Sequence, residues 1–153
     1  FVTKKIIRGL VRIKYGLDKK LFLGNLDAKR DWGHAKDYVE AMWKILQQKK
    51  PEDYVIATGK QYSIRVFTNM VCKKLGFDIS WNGKGVNEKG LINSRKKTII
   101  EIDKNYFRPL DVNTLLGNAS KARRKLKWKP KYNLNSLIDE MISEEIKLIN
   151  ENQ

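Results

Sequence analysis

The chain has 153 residues, 41% of them hydrophobic, and sets 32 lysines and arginines against 17 aspartates and glutamates, a formal net charge of +15 at pH 7. This length and apolar content suit one domain with a modest core and exclude a disordered polyelectrolyte. No apolar run approaches the roughly 20 residues needed to span a bilayer, no secretory leader is visible, and the single cysteine excludes an internal disulfide, so a cytoplasmic protein without membrane contact is expected.

The charge invites a nucleic-acid reading, yet 24 of the 32 basic residues are lysines scattered along the chain, as on a solvated surface. Residues 3–15 read as a helix, with Ile6, Ile7, Leu10, Val11 and the stem of Lys14 on one side and Gly16 as its stop. Lys4, Lys5, Arg8 and Arg12 give it a basic face, either solvated or, at Lys5 near the helix start, within reach of a phosphate. Leu21–Leu23 reads as a short strand that Gly24 and Asn25 interrupt. A polar loop then carries Arg30 and Asp31. A guanidinium fixed between two ordered elements suits a phosphate; the alternative is an Arg30–Asp31 surface pair.

Ala35, Tyr38, Val39, Met42, Ile45 and Leu46 recur at helical spacing and predict an amphipathic helix over 34–48, with Trp43 at its edge. His34 is the only histidine and reads as a structural residue at that helix start; with no cysteine cluster beside it, no metal site is expected. Tyr54–Thr58 predicts a buried strand, and Ser63 an N-cap for a helix reaching Leu75 ahead of Gly76. Cys72 falls in that helix's apolar pattern and reads as an inert buried thiol. A strand over 79–81, a glycine-bearing loop over 82–97 and a strand over 98–102 follow; the loop lacks the spacing and setting of a phosphate-binding glycine motif. Arg108 precedes Pro109, which extends its backbone and holds the guanidinium out, with Asp111 placed to orient it or to accept from a ribose hydroxyl. Ser120 reads as the cap of a short basic helix through Leu126, 127–131 as a basic turn, and 134–149 as a long amphipathic helix. By pattern this is an α/β chain.

Lys29-Arg30-Asp31-Trp32-Gly33-His34, within the wider stretch 24–43, resembles a segment of the GDP-mannose 4,6-dehydratases, which are extended short-chain dehydrogenase/reductase enzymes acting on nucleotide sugars. Phe1-Val2-Thr3-Lys4-Lys5-Ile6, the run 51–59, Tyr106-Phe107-Arg108-Pro109, Leu115-Leu116-Gly117-Asn118 and Lys125-Leu126-Lys127-Trp128-Lys129-Pro130 resemble further family segments in the same order. The likeness covers nearly the whole chain.

The resemblance implies the C-terminal portion of such an enzyme: residues 34–76 as the last strand and helix elements of a Rossmann domain, the remainder as the smaller substrate-binding domain, and the NADP-binding N-terminal part outside residues 1–153. The catalytic Thr, Glu, Tyr and Lys of the family would lie outside this chain too, so the chain alone is expected to be inactive. The implied activity is that of a lyase. It converts GDP-mannose to GDP-4-keto-6-deoxymannose by transient hydride transfer to NADP, on the route to fucose-type sugars, in a homo-dimer or homo-tetramer. The substrate residues it implies are Lys5 and Arg30 facing the pyrophosphate, Arg108 with Asp111 on the opposite wall, and Val2 with the Gly24–Asn25 turn lining the nucleotide. Asp111 stands where the family often has glutamate, and Asn25 is equally explained as a turn residue. Three alternatives remain open at this point: a sibling epimerase or dehydratase, a chain that assembles with a separate N-terminal chain, and a basic nucleic-acid-binding module, whose binding would depend steeply on salt. The helix over 34–48 and the strand over 54–58 are expected to leave apolar surface uncovered.

Overall fold

The computed structural model describes residues 1–107 and 112–151. Its elements run α1 (Val2–Lys14), β1 (Leu21–Leu23), β2 (Lys29–Asp31), α2 (Ala35–Leu46), β3 (Gln61–Ser63), α3 (Ile64–Lys74), β4 (Ile79–Asn82), β5 (Lys89–Ile92), β6 (Lys97–Ile102), α4 (Ser120–Lys125) and α5 (Leu134–Glu151). Short 3₁₀ turns at Gly85–Asn87, Asn93–Arg95 and Lys104–Tyr106 join the later strands. No helix among the described residues is long and apolar enough to cross a membrane.

Helix α1 forms because Ile6, Ile7, Leu10 and Val11 share one face, and all four are buried. Each contributes about 1.5–3 kcal/mol on removal from water. Ile13 extends that apolar side, whereas Lys14 is exposed, contrary to expectation. Gly16, at φ +74°, stops the helix as the sequence predicts. Helix α1 packs on β1, α3 and α5. Ser63 Oγ accepts from the Val66 amide at 3.1 Å and caps α3 as expected. Along α5, Leu134, Ile138, Ile142 and Ile149 face inward.

Strand β1 runs parallel to β6, with Leu21 opposite Ile100, and β5 and β4 continue antiparallel in the order β1-β6-β5-β4. A second ladder pairs β2 with β3 antiparallel, Arg30 opposite Tyr62. The main core lies between the larger sheet and helices α1, α3 and α5. A smaller one gathers Ala41, Ala57, Ala119, Ala122, Leu126 and Trp128. Asp37 ties it together: its carboxylate accepts from the Lys131 and Tyr132 amides at 3.0 and 3.1 Å, and its carbonyl accepts from Trp128 Nε1 at 2.9 Å.

Several expectations are corrected. The run 54–58 is not a strand: it forms no ladder with any described residue, because an apolar, β-rich sequence becomes a strand only where another backbone answers its hydrogen bonds. The loop over 82–97 instead contains β5, which turns back on β4. A four-residue strand interrupted by Gly90 leaves too little alternation to read. Arg30 and Asp31 lie in β2, not in a loop. Ser120 is the first residue of α4 rather than its cap; Asn118 Oδ1 accepts from the Ser120 amide at 3.0 Å.

Helix α2 departs most from its pattern. Its buried residues are Asp37 and Ala41, while Val39, Met42, Trp43 and Leu46 are 60–80% exposed. The periodicity is real, and most of the face it defines is uncovered, as the sequence leads one to expect; Tyr38 and Ile45 are half-buried, Ile45 against the smaller core.

Candidate functional site

The start of α1, the end of β1, strand β2, the start of α3 and the 3₁₀ turn after β6 converge on a cleft of about 570 Å³. Val2 and Lys5 reach it from α1, Gly24 and Asn25 from the turn after β1, and Arg30 from β2. Five of the seven sequence-predicted site residues therefore meet in one place. The other two, Arg108 and Asp111, lie outside the described residues. Phe1, Leu23, Ala28, Ile64 and Tyr106 complete the lining. Among the described residues, two cations and no carboxylate line the cleft. The combination favours an anion flanked by apolar surface.

Local bonds hold each wall. Trp32 Nε1 donates to Thr3 Oγ1 at 2.9 Å, and the Trp32 ring stacks on Phe67, which fixes the first turn of α1 against β2. Asn25 Oδ1 accepts from the Asp27 amide at 2.9 Å, so Asn25 both shapes the turn and lines the cleft. The Ile64 and Arg65 amides at the start of α3 donate to the carbonyls of Ala28 and Leu26, bonding the same turn to α3. Arg65 donates to Asp27 at 2.9 Å, pairs with the buried Glu88, and lies 5.1 Å over the Trp81 ring; the two carboxylates raise its pKa, Glu88 first. That hub links the β4–β5 hairpin to the cleft turn.

Arg30 Nη1 donates to the carbonyls of Lys29 and Val112 at 2.8 and 2.7 Å, and the 112–115 segment runs beside β2 through a parallel bridge between Lys29 and Thr114. The Asp31 carboxylate accepts from the Thr58 amide and hydroxyl and from the Gly59 amide. It thereby clamps the end of the 54–58 run to β2, a role that the surface-pair alternative did not contain.

Gly24 has a reason to be glycine beyond the turn. A Cβ there would lie 2.1 Å from the Tyr106 carbonyl oxygen. Tyr106 thus packs directly on the turn, and its ring sits under Lys5, whose Nζ is 3.2 Å from the ring centroid. Sequence reasoning quoted Tyr106 in a motif but chose only Arg108 from it. The available signal was an exposed-type aromatic beside the site arginine.

The remaining candidates resolve as structural. His34 caps α2, its Nδ1 accepting from the Lys36 amide; Nε2 therefore carries the hydrogen and points at Glu140, 3.1 Å away, while the ring stacks on Tyr132. Glu140 is held below the usual carboxylate range by Lys36 first and then His34. Burial pushes the Cys72 thiol up to about 12. No group of three or more His, Cys, Asp or Glu residues among those described is placed to hold a metal ion. A second cleft of about 480 Å³ is lined by Lys4, Arg8 and Arg12 together with Glu145, and there Arg8 pairs with Glu145 and Arg12 with Asp18.

The family model for GDP-mannose 4,6 dehydratase matches residues 1–141. GDP-mannose 4,6-dehydratase from Vibrio cholerae is 48% identical over 97% of the chain and 42% of its own length. The human GDP-mannose 4,6 dehydratase is 46% identical over 99% and 41%. Among solved structures, RMD from Pseudomonas aeruginosa, complexed with NADPH, superposes with a TM-score of 0.74 at 18% identity, over 95% of this chain and 42% of that one; that likeness shows the shared α/β fold. The chain thus spans about two-fifths of the length of the curated relatives it matches. On the family match and these identities, the chain belongs to the GDP-mannose 4,6-dehydratase family.

Proposed function

We propose that this chain supplies the nucleotide-binding wall of a GDP-mannose 4,6-dehydratase and that the cleft described above receives the GDP moiety. The observation that carries the reading is the convergence of Lys5 and Arg30 on one cleft with no carboxylate among its described lining residues, in a chain of this family. In this reading Lys5 and Arg30 bind the pyrophosphate by charge-assisted hydrogen bonds, Val2, Gly24 and Asn25 line the nucleoside, and Arg108 and Asp111 close the opposite side.

The whole protein then dehydrates GDP-mannose to the 4-keto-6-deoxy sugar. Its nicotinamide cofactor, NADP, is held by residues other than those described here and serves as temporary hydride acceptor. Residues 34–76 dock on that cofactor-binding part. Two observations support the docking: the uncovered apolar face of α2, and a solvent-accessible surface of 10115 Å² against roughly 8,000 Å² for a compact protein of 17.9 kDa. The excess of roughly 2,000 Å² is larger than the roughly 800 Å² that each partner contributes to a standard interface. The further expectations are a homo-dimer or homo-tetramer, a cytoplasmic location, and no dehydratase activity from the 153 residues alone.

The test is a calorimetric titration of GDP and GDP-mannose into the natural protein that carries this chain, repeated on Lys5→Ala and Arg30→Ala. Each variant is expected to weaken GDP binding about tenfold or more, since one charge-assisted contact contributes roughly 1.5–3 kcal/mol. Unchanged GDP affinity in both variants would overturn the placement of the pyrophosphate.

A further inference from the structure

We infer that Tyr106 is a positioning residue that holds the Lys5 ammonium at the cleft, ready for a phosphoryl oxygen of the nucleotide. The inference rests on the GDP site proposed above and adds a residue to it.

A lysine side chain has four flexible bonds and a strongly hydrated head, so an unheld Lys5 would spend its time in water. Here its Nζ lies 3.2 Å from the Tyr106 ring centroid, on the negative face of the aromatic quadrupole. The base of that ring is fixed independently of Lys5. The Asp103 amide donates to the Leu23 carbonyl at 2.9 Å, extending the β1–β6 pairing by one step. The Asp103 carboxylate accepts from the Asn105 amide, and the Tyr106 amide closes the turn on the Asp103 carbonyl. The Tyr106 carbonyl then rests on Gly24, where no Cβ would fit. Tyr106 is nevertheless 52% exposed as a residue and lines the cleft. This is a rigid mount with an accessible π face, and the ammonium sits on it.

The chemistry of the mount matters. A carboxylate would hold Lys5 at least as firmly but would repel an incoming diphosphate and compete with it for the ammonium. An aromatic face carries no net charge. It orients the cation without cancelling its charge, and none of the described residues lining the cleft is acidic. Lysine and tyrosine reach the site from α1 and from the turn after β6, so the contact also joins two walls of the cleft.

The test is a double-mutant cycle on the natural protein, with GDP and guanosine as the two probes. Tyr106→Leu is expected to weaken GDP binding about three- to tenfold, and Tyr106→Phe to restore it to within about twofold of wild type, because the ring and not the hydroxyl faces Lys5. In a Lys5→Ala background the leucine effect disappears, and guanosine, which has no phosphate, is bound equally with or without the ring. Tyr106→Gln provides a second ring deletion should leucine unfold the protein. A GDP loss for Tyr106→Leu that is as large without Lys5, or a matching loss for guanosine, overturns the inference, since the ring would then meet the nucleoside directly. A Lys5→Ala loss with none for Tyr106→Leu also overturns it and leaves the GDP site standing. Full GDP affinity in Lys5→Ala overturns the inference, and full affinity in Arg30→Ala as well overturns the site with it.

Discussion

Gly24→Ala probes the contact on which the cleft is built. The new Cβ would lie 2.1 Å from the Tyr106 carbonyl oxygen and 2.7 Å from its carbonyl carbon. A carbon–oxygen contact is comfortable only at roughly 3.3 Å, so the main chain must move by about 1 Å. Both clashing atoms are backbone, and the turn that carries them is bonded to β1 through the Asp103 amide and the Leu23 carbonyl. Overpacking of this kind costs about 1–3 kcal/mol, and stretching that hydrogen bond adds about 1 kcal/mol. For a chain of this size the sum lowers the melting temperature by about 5–15 °C. Thermal unfolding followed by circular dichroism measures it, and a GDP titration of the same sample reports the cleft. Gly16→Ala is the control. No atom lies within 4 Å of its Cβ position, so it meets only the penalty of φ +74°, about 1–2 kcal/mol, away from the cleft. Gly24→Ala is expected to lose stability and GDP affinity together, and Gly16→Ala stability alone. A Gly24→Ala protein that melts and binds GDP like wild type would refute the argument that Tyr106 is pinned against the turn.

Asp37 is 1% exposed, and Asp37→Ala strands the Lys131 and Tyr132 amides, so a loss of about 2–5 kcal/mol is expected in urea unfolding; a change below about 1 kcal/mol would remove Asp37 as the tie of the smaller core. Cys72, buried and pushed up to about 12, is expected to resist an aromatic disulfide reagent in native buffer and to react promptly in denaturant; equal rates would contradict its burial. Asp18 beside Arg12, Glu40 beside Lys131 and Lys44, Glu52 beside Lys125 and Lys121, and Glu140 beside Lys36 and His34 all sit below their ordinary values of 3.8 for aspartate and 4.5 for glutamate. On acidification the unfolded chain takes up protons before the folded one. The stability these pairs contribute is therefore complete above about pH 5 and is lost as pH falls through the depressed folded values. Urea midpoints at about pH 6 and about pH 3.5 are expected to differ, and Glu52→Gln with Glu140→Gln to shrink the difference; a midpoint that rises on acidification would reverse the sign.

Helices α1, α3 and α5 were legible because a helix satisfies its own backbone. Apolar residues at i, i+3 and i+4, a serine cap at Ser63 and a glycine stop at Gly16 suffice to write one. The strands were legible only in part. Leu21–Leu23 and Thr98–Ile102 stand out by sequence, whereas β2, β3 and β5 are three or four residues long and exist because other strands pair with them, about 30 residues away for β2 and β3 and next in the chain for β5. The same dependence explains 54–58, which has the composition of a strand and no partner among the described residues. Helix α2 shows the converse: its amphipathic pattern predicts the apolar face, the family resemblance predicts that it is left uncovered, and Val39, Met42, Trp43 and Leu46 are exposed.

The candidate site divides along the same line. By itself the sequence determined the residue types, Lys5, Arg30, Asn25 and the Gly24 turn, and through its likeness to a family it suggested which of them face a nucleotide. Their meeting in one cleft, the clamp of Asp31 on Thr58 and Gly59, and the seat that Tyr106 makes for Lys5 were decided by the tertiary structure alone. Helix periodicity is a relation between neighbours in the chain. A cleft is a relation between residues as far apart as Lys5 and Tyr106, and only the packing of α1 and the β1–β6 sheet brings those two within 3.2 Å of each other.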